Sequence, residues 1–95
     1  MRQSVDPAIA ERRLSFKTSS TESKEVRVIL GKPTQSDKGD YCCQVQILGV
    51  GDERVRPIYG LDSMQALQLA LRFISSQLDD YRKDLRWVEN DDLGF

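Results

Sequence analysis

Two adjacent cysteines, Cys42 and Cys43, carry the most nucleophilic side chains of this sequence. A pair of thiols can carry out redox chemistry or bind a soft metal ion. These two lie within an alternating segment that predicts a strand, where successive side chains point to opposite faces. The two thiols therefore cannot bind one ion without distortion. We expect Cys43 to be a small core residue and Cys42 to lie on the opposite face.

Histidine is absent from the 95 residues. It is the commonest general base and the commonest transition-metal ligand, so neither a Ser-His nor a Cys-His couple can form within this chain. Carboxylates, lysine or tyrosine could still catalyse a reaction, but only in a pocket, for which a small domain has little room. The sequence favours a non-catalytic protein, and it assigns no catalytic residue, cofactor or metal.

Two further motifs point only weakly to chemistry. Residues 49–51 (Gly-Val-Gly) begin like a dinucleotide-binding loop, but the third glycine is missing and the segment joins two predicted strands. Glu89, Asp91 and Asp92 offer oxygens to Ca²⁺. Leu93, however, stands where an EF-hand loop needs an oxygen ligand. We interpret the first motif as a hairpin turn and the second as a solvated acidic tail.

The charges are nearly balanced but unevenly distributed. The chain has 14 basic and 15 acidic residues, a net of −1, so no overall attraction to nucleic acid or to an anionic membrane is expected. Residues 1–32 hold seven basic and four acidic side chains, net +3, whereas residues 61–95 hold four and seven, net −3. Either the two halves complement each other, or this polarity steers a charged partner. The least favoured alternative is a nucleic-acid surface built from Arg12, Arg13, Lys17 and Arg27.

Alternation of apolar and polar residues predicts four strands. The clearest is the third, where apolar residues alternate from Tyr41 to Ile47. Pro57 lacks an amide donor, so the fourth strand is expected at a sheet edge or at a bulge. The predicted strands cover residues 8–18, 25–30, 41–48 and 55–59.

After residue 60 a period of three to four residues predicts one helix, from about Met64 to Tyr81. Asp62 or Ser63 is the expected N-cap. Leu69 and Phe73 widen the apolar stripe beyond what one sheet contact requires. The residues expected to face the sheet are Met64, Leu67, Leu71, Ile74, Leu78 and Tyr81.

The ββββα order predicts an α+β fold, an antiparallel four-stranded sheet with one C-terminal helix packed on one face. A chain of this length has room for one core, so residues 1–95 are interpreted as a single domain. Residues 1–7 are a candidate for disorder, and residues 82–95 are expected to fold back as a tail.

The end of the chain also resembles a known family. The segment Gly60 to Leu71 reads GLDSMQALQLAL, residues 85–87 read LRW and residues 93–95 read LGF. This pattern is similar to a family of small uncharacterised bacterial proteins that share a GxDSxQALxLAL helix start, an LxW and a terminal LGF. The resemblance implies a bacterial, soluble domain of unknown function and assigns no functional residue.

The favoured function is a protein-interaction module, for example an immunity-type or accessory protein, which binds a partner or a second copy of itself. The alternative is a small-ligand binder or a carboxylate-dependent enzyme that uses a cleft between sheet and tail, lined by Tyr41, Gln44, Gln46, Tyr59 and Arg72. The residues predicted to contact a partner are Trp87, Tyr81, Arg86, Phe73, Leu69, Asp91 and Asp92.

The sequence contains no apolar run of roughly 18 residues or more, the length a membrane-spanning helix needs, and no secretory signal pattern at its start. With two cysteines that cannot form a long-range disulfide, these features favour a reducing, cytoplasmic location.

Overall fold

The computed structural model describes residues 4–95 of the chain, and within them the chain forms six strands, one α-helix and one 3₁₀ segment. The elements are β1 (Ala8–Lys17), β2 (Ser23–Gly31), β3 (Thr34–Gln35), β4 (Tyr41–Leu48), β5 (Arg56–Gly60), α1 (Ser63–Leu78), the 3₁₀ segment (Asp79–Asp84) and β6 (Leu85–Arg86).

All six strands belong to one antiparallel sheet. The four longer strands β1, β2, β4 and β5 lie side by side in chain order, which is the meander that the short connections predict. β5 pairs with β4 alone, so Pro57 does lie on an edge strand. β3 extends the β2 side of the sheet beside β4, and β6 pairs with β1 at Ser15 and Phe16.

The predicted fold class is confirmed, but the predicted number of four strands is wrong. β3 and β6 are two residues long, so they contain too few residues for an alternating pattern to show. β3 lies within residues 31–40, which we interpreted as a loop, and β6 lies within the tail. Both exist because a neighbouring strand supplies their hydrogen-bond partners.

Helix α1 begins where the cap residue predicts. The Asp62 side chain accepts a hydrogen bond from the Gln65 amide at 2.7 Å, and the Gln65 side chain accepts one from the Leu61 amide at 2.6 Å. These bonds satisfy two backbone donors near the helix start. The α-helical geometry ends at Leu78, and the chain continues as the 3₁₀ segment past Tyr81.

The core lies between α1 and one face of the sheet. Helix α1 lies over β4 and β5, and its buried residues are spaced four apart: Ala66, Ala70, Ile74 and Leu78. Cys43 is fully buried in this core, as predicted, and burial raises the pKa of its thiol. Two tail residues, Leu85 and Leu93, complete the core and are fully buried.

The predicted inward stripe of α1 is wrong at two positions. Met64 and Leu71 are 67% and 42% exposed, whereas Ala66 and Ala70 are fully buried. The helix is rotated so that its small residues face the sheet, because this lets the helix backbone approach Gly60 closely. The periodicity alone favoured the larger side chains as the core stripe.

Candidate functional site

The tail is held by Arg12, which lies on the helix side of β1. The Arg12 guanidinium lies 3.9 Å from the centre of the Trp87 ring and 4.9 Å from that of Phe95. Its Nη1 atom donates hydrogen bonds to the carbonyl oxygens of Leu93 at 3.1 Å and Gly94 at 3.2 Å. One face of the Trp87 ring is therefore covered by Arg12 of the same chain.

The other predicted partner-binding residues do not form one surface with Trp87. Phe73 and Tyr81 are partly buried beside the core, and the Tyr81 ring packs edge-on against Phe16 at 6.1 Å. Arg86 is exposed and donates hydrogen bonds to the carbonyl oxygens of Lys83 and Leu85. Leu69 is partly buried, and Asp91 and Asp92 are exposed in the tail.

Phe73 and Tyr81 line a cleft between α1, β4 and the loop at 49–55. The cleft has a volume of about 80 Å³, far below the roughly 300–1,000 Å³ of small-molecule sites. Asp52 and Arg56 on its rim form an ion pair at 2.5 Å. The Glu53 carboxylate accepts a hydrogen bond from the Gly49 amide at 2.7 Å, so it stabilises the loop itself.

A groove of about 450 Å³ does lie between β1 and the tail, but none of the five polar residues predicted for the small-ligand alternative lines it. Tyr41 packs against the core on the helix side of the sheet, whereas Gln44 and Tyr59 lie on the opposite face and Arg72 is exposed on α1. Of these five residues, Gln46 alone lines the cleft under the loop at 49–55. Among residues 4–95 no group of three or more Cys, Asp or Glu side chains is placed to hold a metal ion.

The four basic residues of the nucleic-acid alternative are separated by the sheet. Arg12 binds the tail on the helix side, whereas Arg13, Lys17 and Arg27 lie on the opposite face, where Arg13 and Arg27 contact Glu11. Glu11 accepts hydrogen bonds from Arg27 at 2.7 and 3.1 Å and from Arg13 at 3.2 Å. These bonds, with Arg27 contributing most, lower the pKa of Glu11 to about 2.

We expect the Glu11 contacts to make stability depend on pH in acid. Because the folded pKa of about 2 lies below the ordinary value of 4.5, ionised Glu11 stabilises the fold above pH 4.5. This contribution is lost as the pH falls from 4.5 to 2. Thermal unfolding of Glu11→Gln should show a smaller loss of melting temperature over that range than the unchanged protein. If the melting temperatures of the two proteins fall in parallel with pH, Glu11 is not the source of the acid sensitivity.

A different surface shows the features expected of a binding site. Leu61, Met64 and Leu71 are 82%, 67% and 42% exposed, although all three are large apolar residues. Together with the exposed residues Gln68 and Arg72, they form what we call the α1 surface. Met64, Gln68 and Arg72 are spaced four residues apart and Leu71 lies three residues after Gln68, so all four share one side of the helix.

Charge is depleted on α1. Of its 16 residues only Arg72 is charged, although 31% of the whole chain is charged. Ordinary solvent-facing helices carry charged residues on their outer side. Protein interfaces instead lack Lys, Asp and Glu and are enriched in Met and Arg. The sequence reading missed this surface because it assigned Met64 and Leu71 to the core. The low charge of residues 63–78 was the signal that could have revealed it.

The fold and this surface define a small α+β protein with an antiparallel sheet, one C-terminal helix and an uncovered apolar helix side. A family model described as "Domain of unknown function (DUF6968)" matches residues 10–95, so the chain belongs to that family and the resemblance is confirmed at family level. No curated protein and no solved structure matches the chain significantly. Within residues 4–95, no helix has both the length and the apolar composition to cross a bilayer.

Proposed function

We propose that this protein is a non-catalytic module that binds another protein chain through the α1 surface. The observation that carries the proposal is the exposure of Leu61, Met64 and Leu71 along a helix with one charged residue. Leaving large apolar side chains in water costs free energy that burial against a partner recovers, about 25 cal/mol per Å². The bacterial and cytoplasmic setting expected from the sequence is part of this proposal, as is an immunity-type or accessory role.

A second observation supports a protein partner over a small ligand. The most enclosed of the clefts, under the loop at 49–55, is small and its rim charges are partly paired with each other, while the larger hollows between β1 and the tail (about 450 Å³) and beside Tyr59 (about 400 Å³) are wide open to solvent. The α1 surface, by contrast, exposes large apolar side chains and carries one charged residue on the helix, a composition that suits contact with another protein. Trp87, Arg86 and the exposed tail aspartates lie outside the α1 surface, and their role in binding remains a prediction.

We expect the tagged protein to retain a stoichiometric partner from lysate of the cells that produce it, and Met64→Glu to lose that partner. Glutamate at this position lies in the first helical turn, where a negative charge suits the helix dipole, so the fold should not be weakened. The measurement is the amount of co-purified chain at matched bait loading, with mass spectrometry for identification.

Val88→Glu is the matched control for this experiment. Val88 is 77% exposed and lies in the tail turn, outside the α1 surface, so the variant places the same charge on an exposed apolar position elsewhere. It should retain the partner. Equal retention by Met64→Glu and the unchanged protein would remove the α1 surface from the proposal, and a chain that is monomeric and retains nothing would refute a binding module.

A further inference from the structure

We infer that the partner of the α1 surface is a second copy of this chain, with the two α1 helices packed antiparallel about a two-fold axis near Gln68. This inference rests on the proposed function, because it names the occupant of the same surface. Two-fold dimers are the commonest oligomers, and they require a surface that is complementary to itself. The α1 surface meets that requirement in its apolar spacing and in its charges.

The apolar spacing is that of a packed helix pair. Met64, Gln68, Leu71 and Ser75 follow steps of four, three and four residues, the spacing of the contact side in paired helices, and the exposed Leu61 lies just before the helix. With the axis at Gln68, the two Gln68 amides face each other and can exchange hydrogen bonds. Met64 of one copy then lies within about 1.5 Å, along the helix axis, of the level of Leu71 of the other, so the two side chains can pack, and the same contact recurs on the other side of the axis.

The charges are complementary in the same arrangement. Asp62 lies six residues before Gln68 and Arg72 four residues after it. At about 1.5 Å of rise per residue, Asp62 of one copy and Arg72 of the other differ by only about 3 Å along the helix axis. Among residues 4–95, neither side chain has an ion-pair partner within its own chain. In the dimer, Asp62 of each copy can form an ion pair with Arg72 of the other, so the contact contains two such pairs.

A groove beside the helix extends the contact area. It lies between α1 and Phe95, measures about 120 Å³ and includes Leu71 and Ile74 on the helix side and Ala10 and Leu30 on the sheet side. Stable interfaces bury about 800 Å² per partner, and a 16-residue helix, about 24 Å long, offers less than this alone. The groove adds contact area to that of the helix.

Sedimentation of the purified 95-residue chain across micromolar concentrations tests this inference. We expect a monomer–dimer equilibrium. Arg72→Glu should weaken the dimer by roughly tenfold or more, because the introduced carboxylate of each copy would face Asp62 of the other. Adding Asp62→Asn to Arg72→Glu should recover part of that loss. Asparagine caps a helix as well as aspartate does, so the helix start is preserved.

Met64→Glu should weaken the dimer by at least about a hundredfold, because it places a charge in the apolar contact of both copies. Val88→Glu should leave dimerisation unchanged. Thermal unfolding of each variant at a concentration where the protein is monomeric checks that the fold is intact.

A wild-type chain that stays monomeric at every concentration would overturn the inference, as would a dimer insensitive to both Met64→Glu and Arg72→Glu. These results are distinguishable from failure of the proposed function. If the chain is monomeric but captures a different protein in a Met64-dependent way, the binding module stands and the second copy is excluded. If it is monomeric and captures nothing, both fail.

Discussion

Gly60→Ala is expected to destabilise the protein by about 3 kcal/mol, at the upper end of the usual cost of overpacking a core. A Cβ atom at this position would lie 2.5 Å from the Ala66 backbone nitrogen and 2.9 Å from both the Ala66 Cα and the Gln65 carbonyl carbon. These atoms belong to the first turns of α1, so the whole helix must move to make room. The measurement is the free energy of unfolding in a denaturant titration.

Gly39→Ala is the matched control. Gly39 has a φ of +95°, and a Cβ there would have no atom within 4 Å, so this variant carries backbone strain without a steric clash. Its cost should be about 1 kcal/mol. If Gly60→Ala costs no more than Gly39→Ala, the close contact between the end of β5 and α1 is not as tight as the structure has it.

Arg12→Ala is expected to destabilise the fold by about 3 kcal/mol and to release the C-terminal tail. The substitution removes a cation that is sandwiched between Trp87 and Phe95, worth about 1 kcal/mol or more, and two hydrogen bonds from a charged donor to tail carbonyls. Arg12→Lys keeps the charge but loses the planar stack and the fork of donors, so an intermediate loss is expected.

Fluorescence of Trp87, the only tryptophan, and limited proteolysis of the C-terminus are the measurements. Both should report a more exposed tail in Arg12→Ala. Arg13→Ala is the control, since the neighbouring Arg13 side chain lies on the opposite face of the sheet and makes exposed ion pairs worth less than about 1 kcal/mol. Equal effects of the two substitutions would mean that Arg12 does not hold the tail.

Several features of this protein were determined by the sequence alone, because they depend on residues close together in the chain. The four longer strands follow from alternation, the start of α1 from Asp62 and the edge position of β5 from Pro57. The core position of Cys43 follows from its place within an alternating strand. Each depends on backbone geometry within a few residues, so a local pattern is sufficient to predict it.

Other features were decided only by the tertiary structure, because the groups that meet are distant in sequence. Arg12 and Leu93 are 81 residues apart, and no local pattern marks their contact. The short strands β3 and β6 exist only through pairing with β4 and β1. The side of α1 that faces the sheet was decided by the close approach of Ala66 to Gly60, which leaves Met64 and Leu71 in solvent. The candidate binding surface therefore arises from helix rotation, since packing density against the sheet outweighed the burial of the larger side chains.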